Sequence, residues 1–183
     1  MKQNLNKVCN NLFPKFDIDF KGNSISLIAK KNDYCFDDSE LKKILSISKK
    51  IDQDIRLCLH NKFSDNLQSM VIVNRKASIL EPHFHKKMDE VFSILYGKAI
   101  FFSFNKNGKI NKKILLKAGK NNLKFVKSNE IHLLLPLSNF VVFHETHKGP
   151  FDHLNRNFNV PRWFSKKNQK NKILFLNKLR SVN

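Results

Sequence analysis

No stretch of this sequence stays apolar for the roughly 18 residues that a membrane-spanning helix needs, so a helical membrane span is excluded. Cysteine is limited to Cys9, Cys35 and Cys58, an odd number, widely scattered and never in a CxxC pair. That usage argues against a disulfide framework or a zinc ribbon and implies reduced thiols in a cytoplasmic protein. The opening MKQNLNKVCNNLFPKF has no long apolar stretch and no small-residue cleavage site, so it does not read as a signal peptide. No internal repeat stands out. Arginine is nearly absent, occurring only as Arg56, Arg75, Arg156, Arg162 and Arg180, although the net charge is +19. The excess is lysine spread along the chain in company with Asn, Ile and Phe, the mixture that AT-rich codons encode. A nucleic-acid site would concentrate arginine and interleave aromatics on one element, so nucleic acid is not the expected partner.

What is present suits one domain with short terminal extensions: 183 residues, 41% apolar, with seventeen Phe to fill a core. Ile25, Leu27 and Ala29 alternate with polar residues after Gly22-Asn23, which predicts a short strand following a turn. Glu40 stands three residues after Asp37 in the manner of a capping box, and Leu41, Ile44, Leu45 and Ile51 fall close to one stripe. This predicts an amphipathic helix over 39–51. From about residue 55 the pattern changes to short β runs at 69–74, 78–84, 91–96, 98–104, 113–116, 123–126, 131–135 and 140–146. Gly97, Asn107-Gly108 and Gly119 punctuate them, and Asn107-Gly108 is the strongest hairpin signal. Closely spaced strands with polar turns favour a sandwich or barrel over βαβ units. The expected organisation is an extension over 1–37 with possible edge strands, a domain over 38–165 with its barrel at about 55–147, and a basic tail over 166–183 that packs weakly or extends an edge.

The chemistry centres on Glu81-Pro82-His83-Phe84-His85-Lys86-Lys87-Met88-Asp89-Glu90. Residues two apart on an extended strand share a face, so His83 and His85 can aim both imidazoles at one point. Imidazoles are good ligands for transition metals, and Glu90, at the start of the next strand, adds a hard donor. A third histidine must come from elsewhere. His132 is the best placed, within an apolar β run, and His60, His144, His147 and His153 compete with it. Alternation puts Glu145 on the opposite face from His144.

His83-x-His85, four residues, Glu90, six residues, Gly97 is the spacing of the first cupin motif, and Lys127 to His132 stands where the second motif supplies its histidine. The chain resembles the cupins, and more narrowly the WbuC family of cupin-fold metalloproteins. The narrower likeness rests on Arg56-Leu57-Cys58-Leu59-His60, Glu81 to His85, Leu95-Tyr96-Gly97, Val142-Phe143-His144-Glu145 and Gly149-Pro150-Phe151. It also takes in an aromatic, proline-containing close from Phe158 to Trp163. It departs from the cupin motifs where Ala77, Lys127, Asn129 and Pro136 replace the expected glycine, proline, glycine and asparagine, positions that shape turns and bind no metal.

The resemblance implies a mainly β fold, the double-stranded β-helix or jelly-roll barrel, with an N-terminal amphipathic helix. It implies one divalent ion (Fe, Mn, Ni or Zn) on His83, His85, Glu90 and His132. Such a set leaves two or so positions open on a six-coordinate metal. Arg56 and His60 are candidate substrate-binding residues. Glu145 and His60 are candidate catalytic groups, Glu145 alternatively holding a ligand histidine in place. Phe84, Phe92, Phe101 and Phe143 are core residues that can back the pocket, and Arg162 and Trp163 are expected to anchor the tail.

The implied role is a metal-dependent isomerase or oxygenase acting on a sugar, nucleotide-sugar or related small molecule in bacterial surface-polysaccharide (O-antigen) metabolism, as a homodimer. The alternatives are a non-catalytic carbohydrate-binding or regulatory module, and a metal-free nucleotide-sugar epimerase or ketoisomerase.

Overall fold

A computed structural model describes residues 8–20, 24–31, 33–150 and 158–181. The Gly22-Asn23 turn, Phe151, His153 and Arg156 lie outside the described residues.

The chain forms α1 (8–12), β1 (Phe16–Asp19), β2 (Ser24–Ala29), α2 (Asp38–Ser48), β3 (Asp54–Cys58), β4 (Leu67–Arg75) and β5 (Phe84–His85). There follow β6 (Glu90–Tyr96), β7 (Lys98–Phe104), β8 (Ile110–Lys117), β9 (Leu123–Val126), β10 (Ile131–Pro136) and β11 (Phe140–Lys148). β12 (Phe158–Asn159), α3 (Arg162–Ser165) and α4 (Gln169–Ser181) complete it. A seven-stranded sheet in the order β1-β2-β3-β4-β11-β6-β9 faces a three-stranded sheet in the order β10-β7-β8.

Strand alternation gives each sheet two faces, and both are used. Inside, Ile72, Phe92, Ile94 and Phe143 of the large sheet meet Ala99, Phe101, Leu116 and Leu134 of the small one. On the large sheet's outer face, Ile25, Leu27, Ile55, Leu57, Val71 and Val73 of β2, β3 and β4 pack under Ile44 and Ile47 of α2. The small sheet's outer face, with Ile100, Phe102, Leu133 and Leu135, is covered by Leu176 and Leu179 of α4. Each large apolar side chain removed from water in these layers contributes on the order of 2 kcal/mol.

α2 starts where the capping residue requires: the Asp37 carboxylate accepts the Glu40 N–H at 2.9 Å. It ends at Ser48, three residues short of the expected stop. The Lys50 N–H turns to the Ile47 carbonyl at 2.8 Å, which closes the last turn and sends Ile51 back against the core. Asn107-Gly108 makes the β7–β8 hairpin, with Gly108 at φ 82°.

Two expectations are corrected. The run 78–84 does not form a continuous strand; only Phe84 and His85 are laddered, and His83 makes an isolated bridge. Pro82 has no N–H to give a ladder, and the Ser78 hydroxyl bonds Asp54 instead. The stretch from 169 is not a weakly packed tail but the helix α4, because Leu176 and Leu179 are buried on the small sheet.

Candidate metal centre

The isolated bridge is what brings the histidines together. The His83 N–H donates to the His132 carbonyl at 3.0 Å, and the His132 N–H donates back at 2.8 Å. Two imidazoles from distant parts of the sequence are thus fixed side by side, with ring centroids 4.4 Å apart. The loop leading from His85 to Glu90 is tied to the turn before His132. The Asn129 N–H donates to the His85 carbonyl at 2.7 Å, and the Ser128 N–H to the Asp89 carboxylate at 2.7 Å. Asn129, which stands where the cupin motif has glycine, takes the left-handed φ of 65° that the turn demands. Asparagine tolerates that conformation better than other side chains do, so the departure leaves the turn intact.

One donor atom from each of His83, His85, Glu90 and His132 lies within 4.8 Å of all the others. The His83 Nδ1–H donates to the Glu81 carbonyl at 3.0 Å and the His132 Nδ1–H to the Glu130 carbonyl at 2.8 Å. A carbonyl can only accept, so each of these Nδ1 atoms carries a proton and each ring turns its Nε2 towards the cluster. Backbone partners of this kind orient metal-ligating histidines.

The inner ends of these groups are unsatisfied. Glu90 Oε1 lies 2.8 Å from His132 Nε2 and Glu90 Oε2 lies 3.5 Å from His85 Nε2. Yet both Glu90 oxygens and His132 Nε2 are buried without a hydrogen bond. Buried polar atoms are rarely left so, and several converging in one place could be satisfied by a bound ion. The donor set of three imidazoles and one carboxylate fits a divalent transition metal.

Burial, with help from neighbouring His132, pushes the His83 imidazole down to about 3, so it is neutral and fit to bind a metal at ordinary pH. Burial pushes the Glu90 carboxyl up, but the His132 and His85 imidazoles outweigh it and hold the group below the usual carboxylate range. Phe101 lies parallel to His132 at 5.9 Å and Phe92 tilts against it at 5.8 Å. These phenylalanines and Phe143 are core residues that also back the site; Phe84 packs against the outer layer under α4.

The other candidates are placed as follows. Glu145 faces inward in the row Cys58–Met70–Glu145–Phe92. Burial first, and then the Glu90 charge, raise its carboxyl to about 7, with Arg56 opposing. Arg56 lies in the next inward row, opposite Ile72, with its side chain exposed. His60 is buried beyond the end of β3, and its Nδ1 accepts the Ser69 N–H at 3.1 Å. His144 points to the outer face, where its Nε2 contacts the Ser69 and Thr146 hydroxyls. His147, weighed only as a rival to His132, is buried on the inner face opposite Glu90. Trp163 lies in the aromatic cluster of Phe104, Phe164 and Phe175, away from the four ligands.

Sequence reasoning missed two neighbours of the site. Lys124 sits on the inner face of β9, its ammonium 4.6 Å from the Phe101 ring centre; strand alternation from Val126 was the available signal. Phe158 stacks on His83, and no local pattern announces that contact.

Comparison with known proteins agrees with this architecture. A family model for a domain of unknown function, DUF6016, matches residues 38–116, which include His83, His85 and Glu90 but not His132. No curated protein matches in sequence. Among solved structures, the chain is similar to the capsular polysaccharide assembling protein CapF from Staphylococcus aureus, with TM-score 0.50 and 16% identity over 59% of this chain. It spans 31% of that protein. An oxalate decarboxylase from Bacillus subtilis matches with TM-score 0.47 and 17% identity, over 71% of this chain and 35% of the other. A double-stranded β-helix protein from Klebsiella pneumoniae matches with TM-score 0.43 and 15% identity, over 54% of this chain and 77% of that one. At such identities the likeness is one of fold. The fold is the cupin double-stranded β-helix, and among the described residues no helix is long and apolar enough to cross a membrane.

Proposed function

We propose that this chain is a metal-dependent cupin of the WbuC kind, holding one divalent ion on His83, His85, Glu90 and His132 and acting on a sugar-derived small molecule in surface-polysaccharide metabolism. The observation that carries the metal is the convergence of four donors, Glu90 and His132 wholly buried, two of the four oriented by backbone carbonyls and three inner atoms without a hydrogen bond. A bound divalent ion would polarise a substrate oxygen or lower the pKa of a bound water.

The chain's own residues supply the rest. Glu145, inward-facing and titrating at about 7, can hold or release a proton near neutral pH, as isomerisation of a keto-sugar requires. Arg56, exposed on the same inner face and acting electrostatically on Glu145, is suited to bind a substrate carboxylate or phosphate. His60, held by the Ser69 backbone, lines the same end of the sheet. The occurrence of this fold in a capsular polysaccharide assembling protein supports the sugar reading. A homodimer is part of it, since β1 and β9 form the outer strands of the large sheet and edge strands invite pairing.

Elemental analysis of untagged protein, beside a His83→Ala/His85→Ala variant, tests the metal. We expect about one equivalent of Fe, Mn, Ni or Zn in the native protein and loss of it in the variant. No metal in either, with none taken up on reconstitution, would overturn the reading and leave metal-free acid–base chemistry in the same barrel.

A further inference from the structure

The four ligands are not equally reachable. The Glu90 and His132 side chains are each 1% exposed, whereas that of His85 is 11% exposed and His83 also keeps solvent contact. Approach to the cluster therefore runs past the short strand β5 and its HxH pair.

One side chain stands on that approach. β12 pairs antiparallel with β5, with Phe158 opposite His85 and Asn159 opposite Phe84. The Asn159 side-chain amide donates to the Phe84 carbonyl at 3.4 Å and fastens the strap. Phe158 is thereby laid on the His83 imidazole, with centroids 4.2 Å apart and planes 23° apart, and edge-on to His85 at 6.2 Å. The parallel ring on His132, Phe101, is wholly buried and is explained by the core; Phe158 is 45% exposed and is not. Its position is set by the two-residue ladder to β5, and among the described residues its ring contacts are with the two ligands nearest solvent.

We infer that Phe158 is the wall of the metal centre's mouth: it fixes the rotation of the His83 imidazole and limits the ligands that can reach the open metal positions to slender oxygen donors. This rests on the proposed function for the ligand it screens, though not for the shielding of His83. The class admitted is the carboxylate or hydroxy-ketone end of a small molecule, entering beside an apolar ring that offers it no hydrogen bond. Branched anions of similar charge are excluded. Phe158 is thus a positioning and specificity-determining residue.

The test uses the full chain with Phe158→Ala and, as the variant that keeps apolar volume and protects the fold, Phe158→Leu. In metal-free protein, diethyl pyrocarbonate modification mapped by peptide mass spectrometry should rise several-fold at His83 in Phe158→Ala, less in Phe158→Leu, and not at all at His132. In cobalt-loaded protein, a chelator should extract the ion at least about tenfold faster from Phe158→Ala, the scale on which support for a ligand histidine matters. Acetate should perturb the cobalt spectrum of both proteins, and the bulky carboxylate diphenylacetate only that of Phe158→Ala. Unchanged His83 modification in a folded Phe158→Ala protein, or equal access of diphenylacetate to both, would overturn the inference. Failure of every protein to take up cobalt would overturn the metal reading instead, and the metal-free modification would still decide whether Phe158 shields His83.

Discussion

Glu145→Gln should change how stability depends on pH, and in a known direction. The folded-state carboxyl titrates at about 7, raised from an ordinary 4.5 by burial and by the charge of Glu90. Below pH 4.5 both folded and unfolded chains hold this proton; between there and about 7 only the folded chain does. The stability it contributes is therefore fully present below 4.5 and lost as pH rises through about 7. At 1.36 kcal/mol per pKa unit the full effect would be about 3 kcal/mol, and partial contact with solvent reduces the expectation to about 1–2 kcal/mol. For a chain of this size that is a shift in Tm of about 2–8 °C. Glutamine keeps the shape and cannot titrate. In urea unfolding of chelator-treated protein, the wild type should lose that stability between pH 4.5 and 7 relative to the variant, and the two curves should run parallel above. His60 and His147, both pushed down by burial, are common to both proteins and their titrations cancel in the comparison. Adding a divalent ion should move the wild-type transition to lower pH, because a nearby dication favours the carboxylate. Parallel curves across the whole range would refute the placement of Glu145 as a buried, charge-coupled carboxyl.

Substitutions at two further positions test how the site is supported. Leu176→Ala, at a side chain 1% exposed under the small sheet, should cost about 2–5 kcal/mol in denaturant unfolding if α4 is part of the core, against less than about 0.5 for a loose tail. Asn129→Ala, at φ 65°, should cost about 1–2 kcal/mol, and Asn129→Gly should be close to neutral by the same assay.

The parts of this molecule that were legible in the sequence are those fixed by local chemistry. Asp37 and Glu40 announce the start of α2 because a cap is a contact three residues long. The strands around Gly97 and Asn107-Gly108 announce themselves through alternation and turn conformations that glycine alone adopts cheaply. His83, His85 and Glu90 belong to one short segment, so their spacing carries the geometry. Alternation was also enough to set Glu145 and His144 on opposite faces. The α4 helix was obscured by its lysines, although Ile173, Leu176 and Leu179 follow helical spacing; its apolar face pays off only against a sheet far away in sequence.

What was not legible is the closure of the site. His132 could be nominated from a motif, but the reciprocal hydrogen bonds that set it beside His83 depend on β10 arriving at a strand interrupted by Pro82. A continuous strand over 78–84 would have had a ladder partner of its own for His83. The interruption leaves the His83 backbone free to pair with His132 alone, and the same shortened β5 leaves its other edge for β12 and Phe158. The short stretch after Pro82 thus carries both halves of the arrangement: His83 bridged to His132 across the barrel, and Phe158 stacked on the His83 ring.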